Sequence, residues 1–523
     1  MQAQSSAVNH SRRPGTWSAL FGAAGVFLLL LSIYMLTHGA DLFISDGIVM
    51  YRTTEALVDR HSLALEPDPL LSQIVPGHDG KYYSKYGIGQ PLAATVPFIL
   101  AQQVRPIAFP YMYDKAFENY FVTMFSQFVT AITGAAMFLL AYRLGNGLRL
   151  SVILTFIWGL CTMAWPYSKT FFSEPLFTGC LVATALGLLG YHQASGRWRF
   201  GWLALAGFAL GYALLTRIGG AVLLPAILAY ALWATTSQTE GAPIRWMVDL
   251  VRGRQDKGAG WPSRWRSQAV GALLAFGLPL AACLALLLWH NWVRFGSPLN
   301  NGYTDEAFST PLLTGLAGLL LSPGKSIFLY VPITALAVVA WPRFWREHRA
   351  TALFYAALAV ITLLQTALWW AWWGGWCWGP RLLTPALPFV VLGLGPLLRH
   401  SRAARIAAWP LALAGMAVAL LGTLVNFNPY LADLLARFPA GRPGTEEPDL
   451  YFRPELSPIL AHARFLLQGE HLSVVTFHLE RLGFHHTAST LFPILVGVTF
   501  LAGAALLGSA MRMDRAAASR DLR

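Results

Sequence analysis

The sequence predicts an all-α integral membrane protein of about twelve transmembrane helices, with further helices lying on the outer surface in its first loop. Three observations carry that expectation. Mean hydropathy is +0.49 and only 12% of residues are charged. Apolar runs recur along the whole chain, near the ~20 residues that a bilayer core requires. Lys and Arg sort into alternate loops, the asymmetry of a polytopic protein.

Taken in order, the spans read 17–37, 118–142, 148–165, 174–191, 200–215, 218–235, 270–290, 326–341, 351–370, 381–398, 406–425 and 488–510. The first reads as retained, since no small-residue cleavage site follows it. Arg12, Arg13, Arg143, Arg149, Arg197, Arg199, Arg343, Arg346, Arg349, Arg399, Arg402, Arg405 and the Arg-rich tail fall on one side, together with the basic loop 236–269. That side holds 22 basic and 6 acidic residues against 16 and 19 on the other, so +16 faces −3. The basic side reads as cytoplasmic, with both termini inside and the chain in the inner (cytoplasmic) membrane. The pI of about 9.7 then reflects orientation and implies no nucleic-acid partner.

The same parity settles the run 91–103. It is apolar, but counting it as a span would invert every later loop. It reads instead as an interfacial helix, and the first outer loop extends over 38–117. The other long outer segments are 291–325 and 426–487. The latter contains the turn-rich Arg442-Pro443-Gly444-Thr445-Glu446-Glu447, and short helices are expected at 457–468 and 474–482. Cys161, Cys180, Cys283 and Cys377 show no spacing for a disulfide framework or a zinc site.

Charged residues that come out on the outer side are the candidates for chemistry. Asp46 lies just past the first span; alone it is an ordinary loop acid, and its company raises it. Lys85 and Tyr86 follow in a Gly-rich turn, where a snorkelling lysine in an aromatic belt is the plain alternative. Glu174 precedes Pro175 at a helix start, a position that favours a carboxylate for structural reasons too. Arg217 sits in a very short hairpin at the membrane edge, and such cations are expensive there. Lys325, at a helix start, suits phosphate; its Gly-Lys-Ser context lacks the rest of a P-loop. The block 369–381, with Trp373, Trp376 and Arg381, offers indole faces for sugar rings and a guanidinium for phosphate oxygens.

These segments together resemble the GT-C superfamily of polytopic glycosyltransferases, near the bacterial protein mannosyltransferases and the lipid A aminoarabinose transferase. The carrying residues are Ser45-Asp46-Gly47, Ser84-Lys85-Tyr86, Phe172-Ser173-Glu174-Pro175, Arg294-Phe295-Gly296-Ser297-Pro298, Leu321-Ser322-Pro323-Gly324, Trp373-Gly374-Gly375-Trp376 and Gly379-Pro380-Arg381. The resemblance implies a GT-C-like catalytic module over 1–425, an outer segment 426–487 and a last span with its tail over 488–523. It also implies inverting transfer from a polyprenyl-phosphate-linked sugar donor to a lipid, glycan or protein acceptor among membrane lipids. Asp46 and Glu174 match its catalytic acids. Lys85, Tyr86, Arg217, Lys325, Trp373, Trp376 and Arg381 are the expected substrate contacts. Many relatives carry Asp-Glu where this chain has Asp46-Gly47, so a divalent metal is a candidate cofactor without a clear ligand set. Asp41 is a rival for the base.

Two other classes stand beside this reading. A lipid-linked-sugar transporter or flippase would also want outer cations, but it should place charges at mid-membrane. A ligase or polymerase with a lipid diphosphate donor would want the same cations. The common outer face is testable first: a reporter fused after Arg402 is expected to read cytoplasmic, and one fused within 440–450 periplasmic. Swapped readings would dismantle the proposed site.

Overall fold

The computed structural model describes residues 16–39, 42, 45–108, 116–236, 263–303, 306–438, 447–477, 479–482 and 484–520. Among them, ten helices are long and apolar enough to cross a membrane. The rival acid Asp41, most of the inner loop 236–269 and most of the turn-rich stretch before Glu447 lie outside the described residues.

The chain enters through α1 (Thr16–Leu36), which packs against the last helix, His486–Arg520, and against α4 (Ala116–Arg143). Between α1 and α4 the outer loop folds into α2 (Ser45–Asp59), a three-stranded antiparallel sheet and α3 (Gly89–Ala108). The sheet runs β1-β3-β2, from Ala64–Leu65, Tyr82–Ser84 and Ile74–Pro76 respectively. Helix α3 covers the run expected to be interfacial. It buries Ala94, Phe98 and Ala101 and exposes Val96, Ile99, Leu100 and Val104.

Two of the twelve expected spans are not among these ten, because broken helices build them. The run 148–165 becomes α5 (Gly147–Leu160) and α6 (Ala164–Ser168). The break leaves carbonyls without helical partners, and a membrane interior supplies none. Tyr34 donates its hydroxyl to the Gly159 carbonyl at 3.0 Å, and Thr162 donates to the Trp158 carbonyl at 2.5 Å. The run 326–341 becomes Ile327–Tyr330 and Ile333–Glu347. Pro332 lacks the N–H that would join them.

Helices α7 (Glu174–Gln193) and α8 (Arg199–Thr216) form the packed centre with the span Arg381–His400, which is the most buried of the ten. At the far end of α7, Arg143 donates to Gln193 at 3.3 Å, Arg399 to the Gly145 carbonyl at 2.5 Å, and Tyr142 to Asp514 at 3.3 Å. Arg399 also pairs with Glu347. Residues of the basic loops therefore meet on one face. Glu174 begins the same helix, about 30 Å away for its 20 residues.

The outer segment contributes Pro458–Gln468, the first of its two expected short helices. The second is corrected: among the described residues of 474–482 the helical ones are Leu479–Leu482, a 3₁₀ turn. Residues 473–476 form no helix because their polar groups satisfy the ends of other helices. Ser473 N–H donates to the Leu424 carbonyl at 2.8 Å, and Val475 N–H donates to the His38 carbonyl at 2.9 Å. Thr476 donates its hydroxyl to the Met35 carbonyl at 2.6 Å.

Candidate active site

Four helix ends meet beneath the outer loop. Asp46 stands in the first turn of α2 and Glu174 opens α7, both at the positive ends of helices. Arg217 follows the C-terminus of α8, and Arg381 opens a 3₁₀ turn, Arg381–Ala386. The Arg381 guanidinium joins the two acids. Its Nη1 donates to Asp46 Oδ2 at 2.9 Å, and its Nε lies 3.3 Å from Glu174 Oε1. Arg217 Nη1 donates to the same Glu174 oxygen at 2.5 Å. The Arg381 guanidinium also covers the Phe172 ring, 4.1 Å from its centroid.

The loop carrying Lys85 and Tyr86 reaches this cluster because Gly87 has no side chain. A Cβ there would fall 2.2 Å from the Leu215 carbonyl oxygen, at the end of α8. Tyr86 donates its hydroxyl to Asp46 Oδ1 at 2.7 Å. Lys85 pairs with Glu306 and sits 5.5 Å from the Tyr303 ring centroid. Burial pushes the Asp46 carboxyl up, but Arg381, the Tyr86 hydrogen bond and Lys85 together outweigh it and hold the carboxyl below its ordinary value. Asp46 is thus ionised at neutral pH. Its stabilising contribution is present above the unfolded value of about 4 and is lost as pH falls through the lowered folded value. Burial, then the charge of Asp46, keeps the Tyr86 phenol protonated.

The two carboxylates differ in access. The Asp46 side chain is 18% exposed and the Glu174 side chain 2%. Glu174 Oε2 is buried without a hydrogen-bond partner. For a divalent metal the fit is poor. Among the described residues no group of three or more His, Cys, Asp or Glu is gathered, and Arg381 fills the gap between the two acids. The departure at Gly47 has a steric basis: a Cβ there would lie 2.8 Å from the Leu42 carbonyl oxygen.

The other expected contacts lie apart from the acids. Lys325 is fully buried, and its Nζ donates to the carbonyls of Gly375 (3.1 Å), Cys377 (2.8 Å) and Gly379 (3.2 Å). Burial lowers its pKa. An ammonium has three hydrogens, and here carbonyls take them. The expected phosphate contact thus sits inside the Trp-rich loop, which closes around it with Gly374 and Gly375 at positive φ. Trp373 is buried edge-on against Trp370 and Trp372. Trp376 is half-buried, 5.9 Å from the Tyr451 ring. The exposed indole is Trp370, whose Nε1 donates to Glu306 Oε2 at 2.9 Å.

Sequence reasoning gave no site role to three side chains that organise this region. Arg294, buried, donates to the Ser84 and Tyr86 carbonyls and to Asn291 Oδ1, pinning the loop that carries Lys85. Glu306 holds Lys85. Glu447 faces Lys325, and burial pushes its carboxyl up to about 7 against the pull of Lys325 and the bond from Tyr451. The one available signal was Arg294, a cation at the end of a long apolar run.

No protein-family model matches the chain, and no curated protein matches it in sequence. Among solved structures it is similar to the crystal structure of ArnT from Cupriavidus metallidurans bound to undecaprenyl phosphate. That likeness has 16% identity and a TM-score of 0.43, over 97% of this chain and 79% of that one. It is also similar to the crystal structure of ArnT from Cupriavidus metallidurans in the apo state, at 15% identity and a TM-score of 0.45, over 94% and 77%.

The shared guanidinium gives a stability prediction. Arg381→Met leaves two buried acids without their common cation and is expected to cost about 3–5 kcal/mol, read as a lower thermal midpoint in detergent. Adding Glu174→Gln to Arg381→Met should recover much of the loss. A single variant as stable as the parent would show that the assembly contributes nothing to folding.

Proposed function

We propose that this chain is a membrane glycosyltransferase. It moves a sugar from a polyprenyl-phosphate donor to a hydroxyl-bearing lipid, glycan or protein acceptor at the outer face, inverting by single displacement with Asp46 as base. The observation that carries the reading is the assembly of acids from two different loops on one guanidinium, with Tyr86 and Lys85 beside them. Its position argues against a transport path, which wants charges at mid-membrane. Glu174 and Arg381 are each the first residue of a span, and Arg217 lies between two spans.

In the proposed step the acceptor oxygen attacks the anomeric carbon as the bond to the phosphate oxygen breaks. The acceptor proton passes to Asp46, and polyprenyl phosphate leaves with the bonding electrons. A base must come within about 3 Å of the proton it takes. The more exposed Asp46 meets that demand better than Glu174, which fixes Arg217 and Arg381 in place. Lys85 and Arg217 supply fixed charge for the leaving phosphate. Lys325 holds the Trp-rich loop that walls the site, with Trp373 and Trp376 packed into that wall.

Asp46→Asn keeps size and hydrogen bonding while removing the basic oxygen. Transfer should fall by about 10² to 10⁴-fold, with donor binding retained, as measured by sugar release from the donor onto acceptor alongside a binding assay. Near-parental turnover would end the assignment of Asp46. Acidification should also silence the enzyme as Asp46 protonates. Tyr86→Phe removes one of the interactions that hold this carboxyl down, so the acid limb of the kcat/KM profile should move to higher pH. A limb that stays in place would mean another group sets it.

A further inference from the structure

We infer that Glu306 is an internal stand-in for the donor phosphate, which occupies Lys85 in the resting site and must be displaced before donor binds. This rests on the proposed function and adds a residue that nothing in the sequence motifs marks.

The three cations that touch the site's acids are already paired. Lys85, Arg217 and Arg381 face Glu306, Glu174 and Asp46, and each cation has an acidic partner. A phosphate entering this set adds negative charge and needs an acid to withdraw. The three acids are held very differently. Asp46 is bound by Arg381 and Tyr86 at the start of α2, and Glu174 is fixed by two arginines at the start of α7. Glu306 belongs to no helix or strand. Its carboxylate is held by Lys85 through Oε1 and by the Trp370 indole through Oε2. Lys85 is in turn the cation with a single donor group on a flexible stem, unlike the forked arginines. The pair therefore joins the one lysine among these cations to the one acid outside regular structure, and it lies close enough to the base that the Lys85 charge helps lower Asp46.

The same competition acts on the product. Polyprenyl phosphate released by transfer still faces Lys85, and the returning Glu306 carboxylate is the group that takes its place. Glu306 is thus a positioning residue for donor capture and product release, and it takes no part in the bond changes.

The test uses the full-length protein in nanodiscs, a polyprenyl monophosphate as probe and the parent polyprenol as control. Glu306→Gln should bind the phosphate about three- to tenfold more tightly, as expected when the competent state is a minor part of the resting population. Trp370→Phe, which removes the other hold on Glu306, should shift affinity in the same direction. In turnover, Glu306→Gln should lower KM for donor and lower kcat with it, a split that loss of fold does not produce. If the parent protein binds the probe through Lys85 while Glu306→Gln binds equally or more weakly, the stand-in role is overturned and the proposed function stands. If the parent protein does not distinguish the phosphate from the polyprenol, both fall together.

Discussion

The Arg381 guanidinium is the constraint on which the rest of the site depends. Among the described residues it is the one group that touches both acids, and each acid belongs to a different part of the chain. Asp46 arrives on the outer loop after α1, Glu174 at the head of α7, and Arg381 itself at the head of a central span. A buried ion pair is a weak source of net stability, because desolvation offsets most of the attraction. Its better-attested use is to fix one arrangement among several. Here the arrangement fixed is the spacing of the two acids, on segments that also share the apolar cluster of Met50, Tyr51, Phe98 and Phe171.

Around that point the backbone is irregular, and each irregular stretch is satisfied by protein. Tyr34 and Thr162 take the carbonyls freed where α5 ends, Lys325 gathers three carbonyls of the Trp-rich loop, and the strap at 473–476 closes the ends of two helices. Broken backbone at membrane depth is tolerated only on those terms. The breaks matter for the site because they turn the chain. The interruption after α5 sends residues 161–172 inward, where the Tyr167 hydroxyl donates to the Trp378 carbonyl at 2.6 Å and Phe172 supports Arg381.

The fold class and the charged residues that converge were legible in the sequence because both follow from scarcity. A charge in so apolar a chain is costly, so Asp46, Glu174, Arg217 and Arg381 stood out, and Lys/Arg sorting put them on one side. Partnership was not legible. Lys85 and Glu306 are 221 positions apart, and no periodicity links them. Lys325 had the local look of an anion site, and only the tertiary fold reveals that carbonyls surround it. Hydropathy likewise counted 148–165 and 326–341 as spans, since it reads apolarity and is blind to which backbone groups lack partners. The strap was misread as helix for the same reason.

The enclosure of Lys325 has a mechanical consequence. Carbonyls of Gly375, Cys377 and Gly379 converge on one ammonium, much as the oxygens of an ionophore ring converge on a cation. A main chain clamped in this way has few low-energy deformations, so the Trp-rich wall is the stiff half of the cleft. Residues 306–310 are tied to it by Trp370 N–H to the Ala307 carbonyl, Thr310 N–H to the Leu368 carbonyl, the Trp370 indole to Glu306 and the Thr310 hydroxyl to the Trp369 carbonyl. Under the proposed function a sugar would then meet a rigid platform, as on a lectin, and selection by size would come from fit to a wall that does not yield.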